Sequence, residues 1–163
     1  MSKNIINEMM AHQPIREVIT HDVFQQMDNY RHHGIKTCLS HTMDVAILTY
    51  TLARRMNIDV ISATRGALLH DLFLYDWRYQ GPRLHGFRHP RIALENAMKY
   101  FQLNHIEKDS IMRHMWPLTP VPPRYTESIL VSYADKRISC SDYMASTVHG
   151  ITTLRSRLAH SKI

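Results

Sequence analysis

Hydrophobic residues recur every three or four positions along nearly the whole chain. This spacing places them on one face of an α-helix and predicts amphipathic helices. No stretch alternates between apolar and polar residues over several cycles, as a half-buried strand would. We therefore expect an all-α fold, a compact helical bundle. Helices are predicted over residues 15–31, 37–56, 59–74, 90–101, 104–116, 127–141 and 143–160.

Local signals set several of these boundaries. Asp59 is a good N-cap, and Asn104 with Glu107 has the spacing of a capping box. Pro90 is typical of a first helical position, and the glycine- and proline-containing residues 75–88 before it predict an irregular loop.

The chain has 163 residues, 44% of them apolar, which suits one core. It contains no internal repeat or linker. We expect a single domain over residues 1–163, with a motif-bearing core at about 30–142 and a C-terminal helix at about 143–160. No apolar run approaches the roughly 18 to 20 residues that a membrane-spanning helix needs. A cytoplasmic protein without a membrane partner is the expectation.

Histidine is the unusual component, with 12 residues in the chain. Imidazole is the commonest metal ligand in proteins, whereas the two cysteines lack the paired spacing of a thiolate site. His41, the His70-Asp71 pair and Asp135 fall on the inward faces of three different predicted helices. An inward carboxylate needs a partner cation or dense hydrogen bonding, and a metal ion would supply that cation.

The charge pattern favours a small anionic ligand. The net charge is +6, and residues 75–91 carry four arginines against one aspartate. A basic loop beside a metal centre could receive a phosphate. Basic residues are not interleaved with aromatic residues along one helix, as a surface that tracks a nucleic-acid backbone requires. We therefore do not expect a nucleic-acid partner.

The order His41, His70-Asp71, Asp135 resembles the signature of the HD-domain metal-dependent phosphohydrolases, a His, a His-Asp doublet and a distal Asp in an all-helical domain. Longer segments resemble a group of small stand-alone bacterial HD-domain proteins. These segments are residues 70–78 (HDLFLYDWR), 84–90 (LHGFRHP) and 114–117 (HMWP).

This resemblance implies a metal centre between the core helices. HD subfamilies with two further histidines before the distal Asp hold two ions, and His89 and His114 lie in that interval, with His85 as a competitor for His89. His32 and His33 are expected around the site or on the surface. Iron or manganese is preferred, while zinc, magnesium, cobalt or nickel also suits nitrogen and oxygen ligands. The implied ligands are His41, His70, Asp71, His89, His114 and Asp135, with Asp71 bridging.

The resemblance further implies hydrolysis of a nucleotide, or of another small phosphate ester or anhydride, through a metal-activated hydroxide. Asp71 is a catalytic candidate because it would bridge the two ions. Asp44, one turn beyond His41, is a second catalytic candidate, either as a proton shuttle or as a carboxylate that orients a ligand. The candidate substrate-binding residues are Arg78, Arg88, Lys136 and Trp77.

Two other classes of function stay open. A histidine-rich di-iron HD centre can activate dioxygen, but HD-type oxygenases place a lysine just after the last histidine, and residues 115–119 contain none. The chain could also be a non-catalytic binding module that contains metal.

Overall fold

The computed structural model describes residues 2–32 and 36–160. Its regular elements there are helices, and the isolated antiparallel bridge between Arg31 and Thr37 is the one β-type pairing in the described part. The all-α prediction is confirmed. The helices are α1 (Ser2–Ala11), α2 (Gln13–Thr20), α3 (Asp22–Gln25), a 3₁₀ helix (Gln26–Asn29), α4 (Cys38–Met56), α5 (Val60–Leu69), α6 (His85–Tyr100), α7 (His105–Arg113) and α8 (Thr126–His160).

Helix α5 is the central element of the bundle. It packs against α4, α7 and α8, and α8 also contacts α4 and α7. Burying a large apolar side chain contributes about 1.5–3 kcal/mol, so the core between these helices supplies much of the stability. Its fully buried side chains include Phe24, Leu68, Leu69, Phe73 and Ile111.

The predicted N-terminal helix is wrong in its extent. Residues 15–31 do not form one helix, because His21 has extended backbone angles and separates α2 from α3. The His21 side chain accepts a hydrogen bond from the Val23 N–H, so it caps α3 instead of continuing α2. Helix α1 was not predicted, although Met9 is completely buried.

The predicted caps of α5 and α7 are confirmed. Asp59 accepts a hydrogen bond from the Ser62 N–H, and Asn104 and Glu107 form a reciprocal capping box. Both helices end earlier than predicted, α5 at Leu69 instead of residue 74 and α7 at Arg113 instead of residue 116.

Two further boundaries are wrong near the candidate ligands. Helix α6 begins at His85, after Leu84 in the left-handed region (φ 60°), so Pro90 lies inside the helix and not at its first position. Helix α8 is continuous where two helices were predicted. No Gly or Pro interrupts residues 126–149, and Asp142 points inward instead of capping a new helix. Within the described ranges, no helix combines the length and apolar character needed to cross a bilayer.

Candidate metal centre

Helix starts and ends bring the predicted ligands together. Thr37 accepts a hydrogen bond from the Ser40 N–H and starts α4, which puts His41 in the first turn. His70 and Asp71 follow the last residue of α5, and three more ligands come from α6, the end of α7 and α8. All six side chains are buried. We call this group the ligand cluster: His41, His70, Asp71, His89, His114 and Asp135.

Asp71 lies at the middle of the ligand cluster. Its Oδ2 is 3.1 Å from His32 Nε2 and 3.5 Å from His70 Nε2. Its Oδ1 is 3.2 Å from His89 Nε2 and 3.6 Å from His114 Nε2. The two carboxylate oxygens therefore face different pairs of imidazoles, as a carboxylate that bridges two ions would.

Asp135 completes the side of the cluster next to His41. Its Oδ1 is 3.3 Å from His41 Nε2 and 3.8 Å from His70 Nε2, and Ser139 Oγ donates to the same oxygen at 3.2 Å. The potential ligand atoms of His41, His70 and Asp135 all lie within 4.8 Å of one another. The same holds for His70, Asp71 and His114.

The tautomers of three imidazoles fit a metal centre. The Nδ1 atoms of His70, His89 and His114 lie 2.7, 3.1 and 2.8 Å from backbone carbonyl oxygens of their own segments. A carbonyl only accepts, so each Nδ1 carries a hydrogen and each ring directs Nε2 at the cluster, where the neutral ring would offer its lone pair to an ion.

These lone pairs need a positive partner. His89 Nε2 and His114 Nε2 are only 2.8 Å apart, and two lone pairs at this distance repel unless a cation or a proton lies between them. His70 Nε2 and Asp71 Oδ1 are buried without a hydrogen-bond donor. Divalent transition metals bind this nitrogen and oxygen ligand set, so the residues fit such an ion.

The electrostatics keep the central carboxylate charged. Burial acts to raise the pKa of Asp71, but the charge of His70 when it is protonated and the close imidazoles of His32 and His89 outweigh burial and hold the pKa well below the ordinary value. Burial likewise opposes ionisation of Asp135, but the hydrogen bond with His41 and the nearby His70 imidazole lower its pKa. Two anionic carboxylates therefore face the cluster.

The histidines at opposite sides of the cluster have different proton affinities. Burial lowers the pKa of His114 to about 3, and the neighbouring His89 and His70 act in the same direction. Burial also acts to lower the pKa of His41, but hydrogen bonds to Asp135 and Asp142 outweigh burial and raise it to about 9.

The ligand cluster opens into a cavity of about 660 Å³. Pockets of 300–1,000 Å³ with mostly apolar walls are typical of small-molecule sites. The wall beyond the cluster is largely aromatic and apolar. Its residues are His32, Phe73, Trp77, His85, Gly86, Met115, Pro117, Leu118, Lys136 and Ser139.

Two of the four predicted substrate-binding residues line this cavity. Lys136 is half-buried, and its Nζ donates to the His114 carbonyl at 2.7 Å and to the Ser132 carbonyl and hydroxyl at 3.2 and 2.8 Å. Trp77 donates from Nε1 to the His32 carbonyl at 3.1 Å and stacks on the His85 ring.

Arg78, Arg88 and Asp44 lie elsewhere. Arg78 and Arg88 are exposed and do not line the cavity, although Arg78 donates to the same His32 carbonyl as Trp77 does. Asp44 is outside the ligand cluster and accepts a hydrogen bond from Lys36 at 2.6 Å.

The structure separates His85 from His89. His89 reaches Asp71, whereas His85 lies one turn earlier in α6, stacks on the His89 ring at 4.6 Å and is 3.3 Å from the Tyr75 hydroxyl. Of the two histidines considered for this ligand position, His89 therefore lies in the ligand cluster and His85 lies beside it.

Sequence reasoning undervalued His32 and missed Asp142. His32 contacts Asp71, and its ring stacks on the His41 ring at 3.8 Å, so it is a further potential ligand. His33 lies outside the described residues. Asp142 Oδ2 is 3.3 Å from His41 Nδ1. Its spacing of seven residues from Asp135, two turns on one helix face, was the signal available in the sequence.

Comparison with known proteins agrees with this geometry. The family model described as HD domain matches residues 38–138, which include the whole ligand cluster. Ribonuclease Y from Pseudothermotoga lettingae is 36% identical over 98 residues, which cover 60% of this chain and 17% of that relative. No solved structure matches. Because the matched region exceeds half of the chain, the protein belongs to the HD domain family, within the superfamily of metal-dependent phosphohydrolases.

Proposed function

We propose that this protein hydrolyses a phosphate ester or anhydride of a nucleotide, or of a similarly small compound, with two divalent ions, preferably iron or manganese. The observation that carries the proposal is the ligand cluster itself: buried imidazole lone pairs and two carboxylates at the base of a cavity of about 660 Å³.

Two ligand sets share Asp71. His41, His70, Asp71 and Asp135 would hold one ion, and Asp71 with His89 and His114 would hold the other. When bound, such ions lower the pKa of water and neutralise charge on phosphoryl oxygens. The residues of the chain orient the ligands, because the carbonyls behind His70, His89 and His114 fix each ring.

The cavity wall supports a small organic substrate. Phe73, Met115 and Leu118 line the cavity and offer apolar contact to a substrate. Lys136 places an ammonium group at the wall, where it could approach a phosphate oxygen. Burial lowers the pKa of Lys136 and the charge of Asp135 opposes this effect.

The cavity of about 660 Å³ at the ligand cluster has the volume of a small-molecule site, which favours a nucleotide-sized substrate over a polymer. Ribonuclease Y is by its name a nuclease for RNA, and this chain matches less than a fifth of its length. RNA cleavage is therefore an outcome that the test must be able to detect.

The test is a screen of the protein reconstituted with Mn²⁺ or Fe²⁺. Hydrolysis products are measured by chromatography for mono-, di- and cyclic nucleotides, dinucleoside polyphosphates, sugar phosphates and an RNA oligonucleotide, because hydrolysis of a phosphodiester releases no inorganic phosphate. We expect turnover of at least one small substrate and loss of that turnover in Asp71→Asn, because the amide cannot bridge two cations as a carboxylate does.

Three outcomes contradict the proposal. Activity confined to the oligonucleotide would make the protein a ribonuclease. Oxygen consumption without hydrolysis of any substrate would favour the di-iron oxygenase alternative. Metal binding without any turnover would favour a binding module.

A further inference from the structure

A buried carboxylate lies behind His41. Asp142, only 5% exposed, places Oδ2 3.3 Å from His41 Nδ1 and Oδ1 2.6 Å from Lys36 Nζ. Asp142 belongs to α8, and Lys36 precedes α4. Both residues lie outside residues 38–138, the region shared with the HD domain family.

His41 is held differently from His70, His89 and His114. In those three rings Nδ1 meets a backbone carbonyl three or four positions earlier, which the local helical backbone holds in place. His41 Nδ1 instead meets a side chain 101 positions away. A side chain can rotate, so it orients an imidazole only if it is itself fixed. Lys36 supplies this restraint on Asp142.

We propose that Lys36 and Asp142 form a clasp that sets the ring orientation and tautomer of His41 for metal binding, an inference that rests on the proposed metal centre. Asp142 accepts the Nδ1 hydrogen, so Nε2, which lies 3.3 Å from Asp135 Oδ1, is the nitrogen that remains for an ion. A carboxylate behind a metal-binding histidine raises its basicity and fixes its direction. Lys36 and Asp142 are therefore positioning residues.

The clasp also supports His32. The His32 N–H donates to the Lys36 carbonyl at 3.0 Å, and the Cys38 N–H donates to the Tyr30 carbonyl at 2.8 Å. These two bonds hold Tyr30 and His32 beside the start of α4, and the His32 ring lies against Asp71. Lys36 thus contacts Asp142 of α8 through its ammonium group and His32 through its backbone carbonyl.

Asp44 provides a matched control. It accepts from the same Lys36 Nζ, also at 2.6 Å, but its side chain is 42% exposed, and among the described residues its hydrogen bond is to this lysine. Asp44→Asn and Asp142→Asn therefore remove the same charge from the same lysine, and only the second changes the acceptor of His41.

The experiment titrates Co²⁺ into EDTA-treated protein and records affinity and the visible absorption of the bound ion. We expect Asp142→Asn to weaken binding by about 10- to 100-fold and to alter the spectrum. Asp142 offers one carboxylate oxygen to Lys36 and the other to His41. The side-chain amide of asparagine has a single acceptor oxygen, so it cannot serve both donors in this arrangement. Lys36→Met should act in the same direction with a smaller change, and Asp44→Asn should match wild type.

The outcomes separate this inference from the proposed function. Unchanged affinity and spectrum in Asp142→Asn, or equal changes in Asp142→Asn and Asp44→Asn, overturn the clasp. Failure of wild type to bind Co²⁺ overturns the metal centre and the clasp together. Co²⁺ binding without hydrolysis leaves the clasp standing and removes the proposed function. If Asp142→Asn does not fold, Lys36→Met decides, and a wild-type response from it overturns the clasp.

Discussion

The chemistry of the ligand cluster depends on which nitrogen each imidazole presents. A histidine whose Nδ1 is fixed by a carbonyl offers Nε2 in a defined direction, so its contribution to metal binding is set before an ion arrives. His70 and His114 each donate from Nδ1 to a backbone carbonyl in the helix that they follow, and this bond fixes the ring. His89 receives it from the carbonyl of His85, one turn earlier.

This geometry predicts different effects for two neighbouring histidines. His89→Ala should reduce the metal content from two ions to about one per chain, because His41, His70 and Asp135 remain as ligands with Asp71. His85→Ala is the matched control and should keep two ions, since the carbonyl that orients His89 is unaffected by the substitution. Elemental analysis of both variants checks this, and two ions retained in His89→Ala would contradict it.

The contrast between His32 and His41 shows what sequence reasoning can recover at single positions. His41 lies on an apolar helical stripe, which predicted its inward direction correctly. His32 lies outside the described helices, where no periodicity gives a direction. The contact between His32 and Asp71 depends on the backbone hydrogen bonds from His32 to Lys36 and from Cys38 to Tyr30. These bonds form only in the folded chain, so the sequence pattern does not reveal them.

At the scale of elements, helix caps were predictable and helix ends near the site were not. Asp59 and Asn104 act through bonds within three residues, so their pattern is local. Helix α5 ends at Leu69, and the chain turns there so that His70 and Asp71 both reach the cluster. Such an end depends on tertiary contacts. The same reason explains why Asp142 stays inside α8 instead of starting a new helix.

Close packing between α5 and α7 predicts a stability effect at Gly66. A Cβ added there would lie 2.7 Å from Ser110 Cβ, closer than two carbon atoms can approach. Gly66→Ala should therefore push the two helices apart and lower the free energy of unfolding by about 1–3 kcal/mol, as other overpacked cores do. Denaturant unfolding measures the loss.

The double variant Gly66→Ala with Ser110→Gly provides the control for this prediction. Removing the Ser110 Cβ creates the space that the new methyl group needs, at a cost of about 0.5–1 kcal/mol for glycine within a helix. The double variant should be more stable than the sum of the two single changes predicts. Strict additivity would show that the contact between α5 and α7 is not the cause.

The pH dependence of the stability of the whole molecule has two opposing sources, a buried histidine with a lowered pKa and a buried histidine with a raised pKa. The folded pKa of His114 is about 3, below the ordinary 6.5, so its contribution is present above pH 6.5 and is lost as the pH falls toward 3. The lowered pKa values of Asp71 and Asp135 add to the loss in acid. The folded pKa of His41 is about 9, so its contribution is present below pH 6.5 and is lost as the pH rises toward 9.

Together these shifts predict that EDTA-treated protein is most stable near pH 6.5, with a melting temperature that falls on both sides. Asp142→Asn should flatten the alkaline side, because the hydrogen bond from His41 to Asp142 contributes to the raised pKa of His41. The same substitution should leave the fall between pH 6.5 and 4 in place, since His114 causes that fall and Asp71 and Asp135 add to it only near pH 4 and below. Thermal melts of both proteins from pH 4 to 9 test the prediction. A wild-type melting temperature that rises steadily from pH 6.5 to 9 would contradict it.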